Sequence, residues 1–181
     1  MDDRRHRFEV LVLPHLDAAY RFARWLSHSP TDADEVVQQA ILHAFRGFES
    51  LRGSDVKAWL LAIVRACHLT ALKQHQRRVA VPLPQEQDVQ DGEVVVAVTP
   101  DPESNTTDRD EERILDRLIS ALPQAHREIM VLREVEEMNY REIATVINVP
   151  IGTVMSRLAR ARAALKFQWM QEAKREIHAV R

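Results

Sequence analysis

Four glycines in 181 residues leave few places where the backbone can turn through positive φ. Outside Val94 to Val98, β-branched residues scarcely alternate with polar ones. A chain written this way cannot build a sheet of many short strands joined by tight turns, so helical periodicity is expected to dominate and the fold class reads as all-α. Apolar residues recur at helical spacing from about Phe8 to Leu26, through Leu16, Ala19, Tyr20, Ala23 and Leu26, and Pro30 then interrupts the pattern. Thr31-Asp32-Ala33-Asp34 fits a capping box for a second helix reaching about Phe45 and ending near Gly47. Ser54 or Asp55 can cap a third helix to about Arg78. A new helical pattern starts near Asp110, stops near Pro123 and resumes through Ile129, Leu132 and Val135. Asn139-Tyr140-Arg141-Glu142 then caps a short helix to Ile147, and a longer one runs from about Ile151 to Trp169. No internal repeat is evident.

Charge divides the chain the same way. Residues 1–80 carry 12 Lys and Arg against 9 Asp and Glu, residues 81–110 carry 1 against 8, and residues 111–181 carry 12 against 10. The overall −2 therefore hides two basic parts joined by an acidic connector that holds Pro82, Pro84, Pro100 and Pro102. The expected organisation is two small helical domains, 1–79 and 111–181, joined by an acidic flexible linker at 80–110. Val94 to Val98 reads at most as a lone strand with nothing to pair with. Such a linker predicts a variable arrangement of the two domains in the free protein. The single cysteine, Cys67, forbids an internal disulfide or a cysteine-based zinc cluster, and its apolar stripe makes it a core residue. No secretory signal or apolar run of about 20 residues is present, so a cytoplasmic protein without stable membrane insertion is expected. His68 and His75 lack a carboxylate or thiol partner at ligand spacing, so no metal and no cofactor are assigned.

From Val56 to Gln85 and from Ile151 to Gln171 every charged residue is basic, the usual electrostatic footprint of a polyanion partner. The second of these stripes follows a short helix across a tight turn, which is what a helix-turn-helix needs to lay its second helix in a major groove. Ala144 permits close approach, Asn148 can take the left-handed conformation, and Ile143, Ile147, Val149 and Val154 supply the shared core. At 100° per residue, Val154, Leu158, Ala161 and Leu165 form one stripe while Thr153, Ser156, Arg157 and Arg160 point away. Arg suits bidentate contact with guanine, and Thr or Ser reaches bases or phosphates. In the earlier basic helix Leu60, Ile63, Val64, Cys67 and Ala71 form the apolar arc, with Arg65, Lys73 and Gln76 opposite. Phe48, Trp59 and His68 lie within or close to that basic surface, where rings can stack on unpaired bases, although core packing is the expected fate of Trp59.

These residues resemble the ECF-type (group 4) bacterial RNA polymerase sigma factors of the sigma-70 family. Asp32 to Phe45 is similar to region 2.2 and Val56 to Arg65 to the helix of regions 2.3 to 2.4. Ala121 to Arg133 is similar to the opening of region 4, and Tyr140 to Arg162 is the most specific match. The resemblance implies that the first domain binds core RNA polymerase at its clamp coiled coil through Asp34, Glu35, Gln38 and Gln39. It implies that the same domain melts the minus-10 element with Phe48, Arg52, Lys57, Trp59, Arg65, His68 and Lys73, the loop Phe48 to Asp55 capturing a flipped base. The second domain would contact the polymerase flap and read the minus-35 element of promoter DNA with Arg141, Thr153, Met155, Ser156, Arg157 and Arg160. The acidic linker would occupy the basic RNA path. Three departures stand out: Ala66 where the family often has Asn, Ala62 where a basic residue is common, and Met155 where lysine is frequent. The resemblance also implies a cognate anti-sigma factor, which could hold the chain at the inner membrane, and a stress-response regulon.

The resemblance implies no catalysis of its own, and there is no Gly-rich phosphate loop or paired nucleophile and base to suggest an enzyme. The alternative is a sigma-like decoy that sequesters an anti-sigma factor without binding DNA. The outward Arg157 and Arg160 argue against it, and the sigma-like first domain argues against a simple repressor or activator. No further domain is expected after Trp169.

Overall fold

The computed structural model describes residues 2–27, 29–51, 55–79 and 107–179, and all regular structure among them is helical. The first half comprises α1 (Asp2–Val12), α2 (Leu16–Leu26), α3 (Pro30–Gly47) and α4 (Val56–Val79). The second comprises α5 (Thr107–Ser120), α6 (Gln124–Met130), α7 (Tyr140–Ile147) and α8 (Ile151–Ala179).

The apolar spacing of each helix fixes the face it buries. In α2 Ala18, Ala19, Phe22, Ala23 and Leu26 turn inward, and in α3 Ala33, Val36, Val37, Ala40 and Ala44 do so. Both pack on α4, whose Leu60, Leu61 and Val64 are fully enclosed. In the second half α6 lies along α8 through Ile129, Leu158 and Ala161, and α7 closes over them with Ile143 and Ile147.

Local breaks depart from the sequence expectation at two prolines, one not read as a break and one read as an interruption. The segment Phe8 to Leu26 is two helices, because Pro14 sits in a one-turn 3-10 helix, Leu13–His15, between α1 and α2. Pro30 does not end a pattern but begins α3, where its missing N–H and fixed φ cost nothing. The cap is accordingly Ser29 rather than Thr31, with Ser29 Oγ accepting the Asp32 N–H at 3.1 Å. Asp55 caps α4 by accepting the Ala58 N–H at 3.0 Å, while Ser54, the other candidate, lies outside the described residues. Helix α5 starts at Thr107, ahead of the expected Asp110, and α8 continues beyond Trp169. Residues 80–106 of the linker, including Val94 to Val98, lie outside the described residues.

Between α6 and α7 the chain widens rather than stopping. Val131–Val135 is a π-helical turn in which the Glu136 N–H donates to Val131 O at 3.0 Å, five residues back. Glu137, at φ 56°, takes the left-handed conformation just after it.

The two halves are packed together, in contrast to the variable arrangement the linker composition suggests. Helix α4 lies on α7 and α2 on α6, and the buried apolar residues of both halves form one cluster. The reason is a set of partners far apart in sequence. Glu136 has a fully buried side chain that receives Arg21 at 3.0 and 3.1 Å and Lys57 Nζ at 2.9 Å. Lys57 Nζ also donates to the Glu136 carbonyl at 2.8 Å. Arg65 reaches Glu128 at 2.5 and 3.3 Å. Arg127 crosses from α6 to donate to the Trp25 carbonyl at the end of α2, at 3.4 Å, and to Leu122 O at 3.2 Å. Its guanidinium is buried, which lowers its pKa, and it rests on the negative ends of two helical segments.

Candidate nucleic-acid interface

The best-defined local geometry is at α7 and α8. Asn139 Oδ1 accepts the Arg141 and Glu142 N–H groups at 2.9 and 3.1 Å, and Glu142 Oε2 accepts the Asn139 N–H at 2.6 Å, so the expected capping box is complete. Asn148 ends α7 at φ 53°, ψ 54°, the left-handed conformation expected of it, and its N–H donates to Ala144 O. Pro150 O then accepts the first N–H groups of α8, from Thr153 at 2.9 Å and Val154 at 3.2 Å. Val154, Leu158 and Ala161 are buried, with Leu165 packed against them. The opposite face is thereby presented to solvent.

On that face Met155, Ser156 and Arg160 are exposed, and Thr153 and Arg157 are half-buried. Ser156 Oγ donates back to Thr153 O at 3.1 Å, while Arg157 lies close enough to Glu128 for its charge to lower that carboxyl's pKa. Arg141 is exposed at the start of α7, on a shallow cleft shared with Asp55, Asn139, Glu142 and Thr145. Arg162, part of the same basic run, is drawn to Glu134 at 2.7 Å, a hydrogen bond that raises its pKa. The free ridge of α8 is thus polar and cationic, as a helix in a major groove requires.

In the first half Asp34, Glu35, Gln38 and Gln39 are all exposed along α3, opposite its buried stripe. Sequence reasoning missed Leu42 and Phe45, which are 49% and 39% exposed within two turns of Gln38. Leu42 falls off the apolar stripe of α3 and outside the core cluster, whereas Phe45 sets its ring edge-to-face with Phe8 at 5.1 Å and under the Arg4 guanidinium while leaving part of the ring exposed.

The residues assigned to the minus-10 element separate. Lys73 is exposed near the end of α4, and Trp59 is half-buried against the core. Phe48 is buried, its ring edge-to-face with Phe8 at 5.4 Å, because the single 3-10 turn Phe48–Ser50 folds it under α1. His68 is buried too, with the Gln124 side-chain amide nitrogen 3.3 Å from its Nε2. Neither ring is available for stacking in this conformation, against the expectation from sequence. Lys57 and Arg65 face Glu136 and Glu128 of the second half. Burial holds Glu128 above the usual carboxylate range, more than the hydrogen bond and charge of Arg65 and the charge of Arg157 lower it. Arg52 lies outside the described residues. Among the described residues no group of three or more His, Cys, Asp or Glu could hold a metal ion, and no helix is long and apolar enough to cross a membrane.

This combination of a capped helix-turn-helix and a second, four-helix unit defines a two-part helical protein whose α7–α8 pair has the shape of a major-groove reader. Family models agree on both parts: sigma-70 region 2 matches residues 11–78, and sigma-70, region 4 matches residues 112–165. The ECF RNA polymerase sigma factor SigE of Mycolicibacterium smegmatis is 30% identical over 159 residues, which span 88% of this chain and only 60% of that longer relative. The ECF RNA polymerase sigma-E factor of Escherichia coli K12 is 32% identical over 138 residues, 74% of this chain and 72% of the relative. In fold the chain is similar to the sigma factor RpoE of Bartonella quintana, solved in complex with the anti-sigma factor NepR. That likeness has a TM-score of 0.66 at 23% identity over 92% of this chain and 96% of that one. The chain belongs to the ECF group of the sigma-70 family of RNA polymerase sigma factors.

Proposed function

We propose that this chain binds core RNA polymerase and directs promoter-specific initiation of transcription, with residues 1–79 engaging the polymerase and the minus-10 element and residues 111–181 reading the minus-35 element. The observation that carries this reading is the ridge of α8, held outward by a complete capping box and a left-handed Asn148, with Arg160 and Ser156 exposed on it. A decoy that only sequesters a partner has no need of that cationic face. Asp34, Glu35, Gln38 and Gln39, with Leu42 and Phe45 beside them, form the polymerase-binding surface: charged and amide groups around an apolar patch suit a protein partner better than DNA.

Control by an anti-sigma factor accords with the same reading and with the partner seen with the Bartonella protein. In the packed arrangement Lys57, Arg65 and His68 are turned to the second half, so minus-10 recognition requires the halves to separate. An anti-sigma factor would act by keeping them from the polymerase. The test is in vitro transcription with core polymerase, this protein and genomic DNA fragments, beside an Arg157→Ala, Arg160→Ala double variant. New transcripts that vanish in the variant are expected. Absence of any binding to core polymerase would overturn the reading in favour of the decoy.

A further inference from the structure

Among the hydroxyl and guanidinium groups of Ser156, Arg157 and Arg160, Met155 is 54% exposed and belongs to no part of the core. Its neighbours on the same ridge are Gly152, three residues before, and Ala159, four residues after. Both are exposed, and a Cβ added at Gly152 would meet nothing within 4 Å. The ridge is therefore low on either side of one long, flexible thioether, and the backbone of α8 can seat close to a groove floor at that point.

Resting on the promoter-reading assignment of α8, we infer that Met155 is a specificity-determining residue that packs against the C5-methyl group of a thymine in the minus-35 element. A thioether neither neutralises a phosphate nor donates a hydrogen bond, so it adds nothing to backbone attraction. In the major groove the distinctive apolar group on an unmodified base edge is the thymine methyl, and apolar side chains are its recognised counterpart. Three rotatable bonds let Met155 follow the methyl's position without a fixed helix angle, and a polarizable sulfur favours close apolar contact. A lysine at this place would instead add affinity to every sequence alike. A thioether at this place therefore makes a base-selective contact where an ammonium would make a sequence-blind one.

The test uses the full chain assembled with core polymerase. Duplexes are selected from a random-sequence library, and the thymines of the selected minus-35 half are then replaced one at a time by deoxyuridine, which deletes only the methyl. Burying one methyl is worth about a fourfold change in affinity, so one replacement should weaken wild-type binding by about fourfold. Met155→Ala should lose a similar factor on the parent duplex and be indifferent to that replacement. Met155→Lys should also be indifferent to it and show a steeper salt dependence, by about one phosphate contact. Equal binding of every deoxyuridine duplex by the wild type would overturn the inference, as would unchanged sensitivity in Met155→Ala. Failure to select any duplex, or selection unaffected by Arg157→Ala with Arg160→Ala, would overturn the DNA-reading assignment of α8 and this inference with it.

Discussion

Replacing Glu136 by Gln removes one charge and almost no volume from the contact between the two halves. Its carboxylate is fully buried and meets two cations, Lys57, whose side chain is 28% exposed, and Arg21, which is 51% exposed. The Arg21 contribution is largely screened by water, as for other surface pairs worth about 0 to 1 kcal/mol. Lys57 is better shielded, and a hydrogen bond to a charged group contributes about 1.5–3 kcal/mol. A Gln amide oxygen still accepts from one donor, so the net loss should be about 2 kcal/mol, or roughly thirtyfold in the ratio of packed to separated forms. The cost falls on domain packing and not on folding of either half, because Arg21 and Lys57 come from α2 and α4 while Glu136 lies beyond α6. Single-molecule energy transfer between dyes at the exposed positions His43 and Lys166, in a Cys67→Ala background, would report the ratio directly. Glu134→Gln is the control: it breaks the ion pair with Arg162 inside the second half and should leave the dye distance unchanged. The reasoning is refuted if Glu136→Gln leaves the ratio at its wild-type value, or if the control separates the halves equally.

Glu128 gives a pH-dependent counterpart. Because burial raises its carboxyl pKa, the folded protein keeps that proton to higher pH than the unfolded chain. The resulting stability is fully present below the usual carboxylate range and is lost as pH rises through the raised value. Glu128→Gln, which imitates the protonated form, should therefore match or exceed wild-type stability in urea at pH 8, with the difference vanishing in acid; a variant clearly weaker at pH 8 would mean that the Arg65 pair outweighs burial. Asn139→Ala removes the capping-box acceptor and should cost about 1 kcal/mol in thermal unfolding, and it should weaken promoter binding if α7 seats α8; an unchanged midpoint would contradict the first part. Burial raises the Cys67 thiol pKa, so its alkylation at pH 7.5 should be slower than that of free cysteine and should accelerate in Glu136→Gln if separation uncovers it.

The features legible in the sequence are local ones. The Asn139 and Glu142 box and the left-handed Asn148 involve residues a few positions apart, so chemistry at short range specifies them. The outward placement of Ser156 and Arg160 comes from period alone. Pro30 departs from its reading as an interruption because proline is tolerated at the first helical position, whereas Pro14, inside the segment expected as one helix from Phe8 to Leu26, divides it because proline disrupts a helix interior. The fate of Lys57 and Arg65 is not legible at all. Their partners lie 79 and 63 residues away, and a basic face that awaits DNA has the same composition as one that meets a buried carboxylate. Phe48 likewise depends on where α1 falls, which no periodicity within 48–55 encodes.

The π-helical turn at Val131–Val135 acts as one extra residue of backbone inserted between α6 and the helix-turn-helix of α7 and α8. One residue advances an α-helix by about 1.5 Å and rotates the downstream chain by about 100°. The wide turn takes up that residue locally, and left-handed Glu137 and the loop to Asn139 follow it before α7 begins, so the length of this joint, rather than the phase of one continuous helix, sets where α7 and α8 stand relative to α6. Divergence among such proteins in how a helix-turn-helix is presented can then proceed by single-codon gain or loss at this joint, while the capping box, the turn and the reading face are inherited unaltered.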